Sequence, residues 1–320
     1  MSLFDNAINC IAIFIILILA TFYLRAKGIL KSSNAPKLSR LITELVLPAY
    51  LFRQLAFADL SMVALKAAGG LILAEITLAL IAYPIGKYLL KLTSSTLALF
   101  VLCSTFSSTG LLGNSFLKLI YDMNSNAIAD GIIIGQLAIT TPNYFITPAI
   151  LSRFQSSNKN TFYISNVLAS FLNPPNIAII LGLFWAILDI NTSGYILDPI
   201  FDSMRIIGDT IPFLTALSIG LSLSTFPDRK DLYAILFCSL SVLIAEPLIV
   251  YLINLKISEP FIDKQVSFLL ASLPSAQVIA VYAIRYEVNP KFASTLIAAT
   301  TVLSAISIPS LLFIFKVMGM

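Results

Sequence analysis

Runs of apolar residues, each about as long as a helix must be to cross the hydrocarbon of a bilayer, alternate along this chain with short polar stretches. In the first half they cover residues 3–24, 38–57, 62–86, 96–120 and 128–151. In the second half they cover 162–187, 199–223, 232–255, 266–286 and 292–317. Five and five predict ten transmembrane helices that use up the chain and leave no room for a soluble catalytic domain. Two runs are poor continuous helix. Span four carries Ser107, Ser108, Thr109, Gly110, Leu111, Leu112, Gly113 and Asn114 in its middle, and span nine carries Ser272, Leu273, Pro274, Ser275, Ala276 and Gln277 at the corresponding place. Glycine is the weakest ordinary helix former, and proline removes a donor and strikes the preceding turn. Backbone freed at membrane depth must be satisfied by protein or water, so paired breaks predict a cavity between them rather than two packing kinks.

The halves also echo each other. Asn9 to Ile13 (NCIAI) matches Pro175 to Ile179 (PNIAI) at a shift of 166, Pro48 matches Pro212 at 164, and Phe116 to Asp122 (FLKLIYD) matches Val281 to Glu287 (VYAIRYE) at 165. A near-constant shift predicts a duplication, residues 1–155 and 156–320. Five helices is an odd number, so the second copy enters the membrane upside down.

Composition supports a lipid environment: 58% of the 320 residues are hydrophobic and 11% charged, where soluble domains carry about 25% charged residues. The net charge of +4 is not read as a nucleic-acid signal, because the basic residues cluster between apolar runs. Arg25, Lys27, Lys31, Lys37, Arg40, Lys87, Lys91, Arg153, Lys159, Arg229, Lys230, Arg285 and Lys291 follow odd-numbered spans, thirteen of twenty Lys and Arg. Positive loops stay in the cytoplasm, which predicts an inner-membrane protein with both termini outside. The first span lacks the basic flank of a cleaved signal peptide and is kept as helix one. With no histidine, imidazole is excluded as metal ligand, general base or proton carrier. Cys10, Cys103 and Cys238 sit in separate apolar runs and suggest neither disulfides nor a metal site. No cofactor is expected. An intramembrane protease is disfavoured by the lack of histidine and of a GxGD motif.

Four segments, LVLPAYLFRQLA from Leu45, STGLLGNSF from Ser108, NPPNIAIILGL from Asn173 and LPSAQVIAVYAIRY from Leu273, together resemble the auxin efflux carrier family, which includes plant PIN proteins and bacterial malate and malonate permeases. The resemblance covers nearly the whole chain. It implies an all-α integral membrane fold of two inverted five-helix repeats, with helices four and nine crossing at their breaks beside the substrate site, and a scaffold part and a transport part that move as an elevator. It further implies a secondary transporter of a small organic anion, a carboxylate, with a proton or sodium as candidate coupling ion and a homodimer as candidate assembly. Where many relatives have Asn five residues before the crossover glycine, this chain has Ser108 before Gly113. The bile acid sodium symporters share a related fold, and a sodium-coupled carrier of that kind is the alternative; their acidic sodium-site pattern is not evident here. An anion channel is the further alternative, since broken helices also build pores.

The expected substrate site is Ser108, Thr109, Gly110, Gly113 and Asn114 of helix four with Pro274, Ser275, Ala276 and Gln277 of helix nine, joined by Gln136 and Asn143 of helix five, which by resemblance borders the cavity. Thr141 and Tyr144 are further polar groups on that helix, and plain interhelical hydrogen bonding is the competing role for all four. Arg53, a full charge inside a span, costs about 2.5–3.5 kcal/mol at the bilayer centre and calls for a partner or a purpose. Snorkelling, pairing with Glu75 or Glu246, and attraction of the anion are the readings open to it. Glu75 and Glu246 are coupling candidates with Arg53, Glu246 first because it precedes Pro247 deep in helix eight; Glu44 and Asp130 are further acids in or near spans. Asn173 and Asn176, flanking Pro174 and Pro175, either satisfy released backbone or line the pathway.

Overall fold

The computed structural model describes residues 3–58, 62–109, 113, 117, 125–154, 172–223, 229–256 and 261–317. The described residues form helices, broken or widened at the positions where proline, glycine and serine interrupt the apolar runs. In the first half these are α1 (Leu3–Ala26), α2 (Ala35–Leu41), α3 (Leu47–Ala56), α4 (Met62–Pro84), α5 (Ser94–Thr105), α6 (Ser125–Gly135) and α7 (Thr141–Leu151). The second half gives α8 (Pro174–Ile187), α9 (Leu197–Asp209), α10 (Ile211–Ser222), α11 (Arg229–Leu240), α12 (Glu246–Asn254), α13 (Phe261–Ala271), α14 (Val278–Arg285) and α15 (Pro290–Val317). Counted through their joints, Ala64–Leu89, Leu197–Ser222, Asp231–Asn254 and Pro290–Leu311 are long and apolar enough to cross a membrane. Ile11–Ala26, Ser94–Thr105 and Pro174–Ile187 are shorter apolar helices. Leu80, Ile187, Ile206 and Leu248 point outward, as lipid-facing side chains do.

Three joints share one cause. A π turn at Ile42–Val46 precedes Pro48, one at Gln136–Thr140 precedes Pro142, and one at Ser241–Ala245 precedes Pro247. The proline ring would strike the carbonyl four residues back, which is Glu44, Ala138 or Leu243, each inside its π turn. Widening that turn by one residue moves the carbonyl aside while the helix continues. A different device starts α8: Asn173 caps it, its side chain accepting from Asn176 N–H at 3.0 Å, with Pro174 and Pro175 in the first turn, where no intrahelical donor is needed. Asn173 thus satisfies a backbone group released at the start of the helix.

Packing gathers the helices around the two broken spans. α3 lies against α8 and α9, and α1 against α10 and α15. α4 packs with α5, α6, α12 and α13, while α2 and α10 both contact α14. Two glycines allow backbones to meet. A Cβ on Gly182 of α8 would come within 3.0 Å of Phe52 O, and one on Gly220 of α10 within 2.8 Å of Ile18 O. Such small-residue seams hold helices together where lipid removes the hydrophobic drive for association. Between α14 and α2 with the π turn that follows it the fastening is polar: Ser39 Oγ donates to Val281 O, and Arg285 donates to Thr43 Oγ1 and, at 3.1 Å, to Glu44 Oε1.

Candidate functional site

At the centre of these helices the two broken spans touch through backbone. α5 ends at Thr105 and α13 at Ala271, and the extended residues that follow run antiparallel, with Ser107 paired to Ser275. Ser108 N–H donates to Pro274 O at 2.7 Å and Ala276 N–H donates to Phe106 O at 2.9 Å. Each serine then serves the opposite helix end. Ser275 Oγ donates to Cys103 O at 2.7 Å and Ser107 Oγ to Leu270 O at 3.1 Å. Ser241 Oγ supplies Ser104 O at 2.8 Å. Carbonyls left over where a helix stops at membrane depth are therefore met by hydroxyls and by the opposing strand. Helix resumes after the crossing with Gly113 N–H bonded to Ser108 O at 3.1 Å on one side, and with α14 beginning at Val278 on the other.

Beside the crossing lies a cavity of about 270 Å³ of atom-free space, its open mouth included, lined by Ser107, Ser108, Thr109, Thr140, Asn143, Tyr144, Ala276, Gln277 and Val278. None of these side chains is charged. Ser108 Oγ donates to Gln277 Oε1, and Thr109 Oγ1 meets Thr140 Oγ1 at 2.9 Å. Asn143 Oδ1 accepts from Thr147. Gln277 is 1% exposed, and its Nε2 has no hydrogen-bond partner. A buried donor left unmet costs about 1–3 kcal/mol, so the cavity wall carries a group that a ligand oxygen would satisfy.

The expected site residues divide accordingly. Ser108, Thr109, Asn143, Ala276 and Gln277 come together around the cavity. Pro274 and Ser275 form the crossing itself, and Gly113 packs under Leu270 and Leu273. Gln136 is buried in its π turn with both amide atoms unpartnered, outside the cavity lining. Gly110 and Asn114 lie outside the described residues. Sequence reasoning missed Ser107, Thr140 and Val278 as lining residues. Thr140 carried a usable signal, two residues before Pro142 on a span already noted for polar groups. Arg53 does not reach Glu75 or Glu246; its guanidinium carbon sits 5.1 Å from the Phe57 ring centroid, with Nε buried and unpartnered. Phe57 in turn meets Phe201, which stacks on Phe52 at 6.1 Å.

A family model described as "Membrane transport protein" matches residues 7–312. The chain belongs to that family, the auxin efflux carriers. This auxin efflux carrier family member is 24% identical, over 303 residues, to a protein described as an uncharacterized transporter of the archaeon Methanocaldococcus jannaschii, a match covering 94% of this chain and 96% of the relative. Membership makes it a multi-pass membrane transporter, with a lipid bilayer around it and a substrate to carry, and not an enzyme.

Proposed function

We propose that the chain is a secondary transporter of a small organic anion, a carboxylate, bound at the crossing of the two broken helices. The observation that carries this reading is the unmet Gln277 Nε2 in a cavity that also presents the Ser108 and Thr109 hydroxyls beside the first turn of α14. Amide and hydroxyl donors together with the positive end of a helix suit an anion without arginine.

Architecture is part of the same reading: ten spans, in two inverted units of residues 1–155 and 156–320. The exchange of hydroxyl bonds between Ser107 and Ser275 supports it, since each does for the other's helix what is done for its own. An elevator follows if α1, α2, α3, α8, α9 and α10 stand still while the elements around the crossing move past them, which gives alternating access.

Removing the Gln277 amide is the direct test. Calorimetry with malonate and malate on folded, purified Gln277→Ala should show binding weakened by about 1–3 kcal/mol relative to the parent. Parental affinity in that variant would place the anion elsewhere. In proteoliposomes the parent should show saturable malonate uptake and counterflow; flux that does not saturate would mean a channel.

Orientation is tested separately. With both termini outside the inner membrane, a cysteine replacing Ser193 should react with an impermeant thiol reagent on intact cells, and one replacing Ser157 should stay protected until the cells are opened. The reverse pattern would invert the topology.

A further inference from the structure

Two acids stand buried on neighbouring helices next to the crossing. Glu75 lies midway along α4 and is 3% exposed; Glu246 opens α12 and is fully buried. α4 packs against α12, and the two carboxyls are close enough to interact electrostatically. Glu75 Oε1 and both carboxyl oxygens of Glu246 lack a hydrogen-bond partner. Ser107 Oγ faces Glu246, but its own proton is committed to Leu270 O, so no bond to the carboxyl is completed. Lys66, Tyr83, Cys103, Asp130, Asp231, Tyr233, Cys238, Tyr251 and Lys264 are the titratable groups with described side chains on α4, α5, α6, α11, α12 and α13, and the groups that act on the two acids are each other and Ser107.

Two like charges in a poorly polarisable interior repel strongly, and among the described residues no cation acts on either acid to offset them. A proton resolves the conflict with only two oxygens. A hard metal ion seeks about six, and this pair with one committed hydroxyl offers too few.

We infer that Glu75 and Glu246 form one proton-binding site behind the crossing, linked to the anion cavity through Ser107, which touches both. The linkage rests on the transport reading above. A protonated Glu246 donates to Ser107 Oγ, which goes on donating to Leu270 O. Negative charge arriving in the cavity favours the protonated pair, and by reciprocity the bound proton favours the anion, so the two are taken up and released together. No bond is made or broken other than those to the transferred proton.

The first test needs no substrate. Infrared difference spectra of the purified chain, recorded across a pH titration, should show a protonated-carboxyl band in the parent and in Asp202→Asn, a surface control. That band should shift in frequency in both Glu75→Gln and Glu246→Gln, because each carboxyl senses the other, and should be indifferent to exchanging potassium for sodium. If one variant does not fold, the other decides, because either substitution takes away the partner that the remaining carboxyl senses. In proteoliposomes Glu246→Gln should lose malonate uptake driven by an imposed pH gradient and keep malonate counterflow. A band unchanged in either folded single variant, a band abolished by sodium, or full pH-driven uptake in Glu246→Gln overturns the inference. A parent that shows the band and carries no malonate overturns the substrate reading and leaves the carboxyl pair supported.

Discussion

Gly220→Val is expected to leave little folded protein. A Cβ at this position meets Thr21 Cβ at 2.7 Å and Ile18 O at 2.8 Å, and the second of these is backbone that cannot swing aside. α1 and α10 would have to separate along a seam that ties the start of the chain to its second half. Overpacking of this kind costs about 1–3 kcal/mol and sometimes more, and the two further methyls of valine place it at or beyond the upper end. The small gain in helix propensity over glycine, under about 1 kcal/mol, does not offset it. Gly69→Ala is the matched control, since nothing lies within 4 Å of its Cβ on the outer face of α4. It should be neutral or slightly stabilising. Size-exclusion profiles and thermal midpoints of the two variants in detergent check the contrast, and equal behaviour would remove close backbone approach as the reason for Gly220.

Removing both crossing serines should be nearly as damaging. Ser107→Ala leaves Leu270 O without its hydroxyl, and Ser275→Ala leaves Cys103 O without the donor that replaces a lost helical bond. Each buried acceptor left short costs about 1–3 kcal/mol, so the double variant is expected to lose about 2–6 kcal/mol if the two act independently. Their backbones are paired, however, so the losses should not simply add. The first substitution frees the crossing to loosen, and the second then removes a bond already weakened. Thermal midpoints of the parent, both single variants and the double variant close the cycle. Single-variant midpoints equal to the parent's would mean that water replaces the hydroxyls, and the crossing would then be wetter than its buried serines indicate.

Much of this was legible in the sequence, because lipid leaves a helix few options. Apolar runs gave helices whose described ends agree within a few residues, as 128–151 does with Ser125–Leu151, and glycine, proline and serine inside two spans marked the crossing. Contacts between distant residues were not legible. Glu75 and Glu246 are far apart in the chain and carry no local mark of their proximity, and the exchange between Ser107 and Ser275 needs the crossing to be drawn before it can be seen. Arg53 misled for a related reason. A charge within a span suggests a carboxylate partner, but four positions along the same helix Phe57 offers a ring face, which costs less to bring beside a cation than a second desolvated charge.

The π turns have an effect beyond making room for proline. Each inserts one residue into its helix, and at 3.6 residues per turn one residue is worth about 100° of rotation. Residues beyond the turn are therefore out of phase with those before it, and one helix can show lipid along one half and the protein interior along the other on what a helical wheel would call the same side. Thr140 and Asn143 reach the cavity across such a phase slip at Gln136–Thr140. An insertion or deletion of a single residue in that stretch would act as a rotation, turning the lining of the cavity toward the membrane while leaving the length of the span almost unchanged.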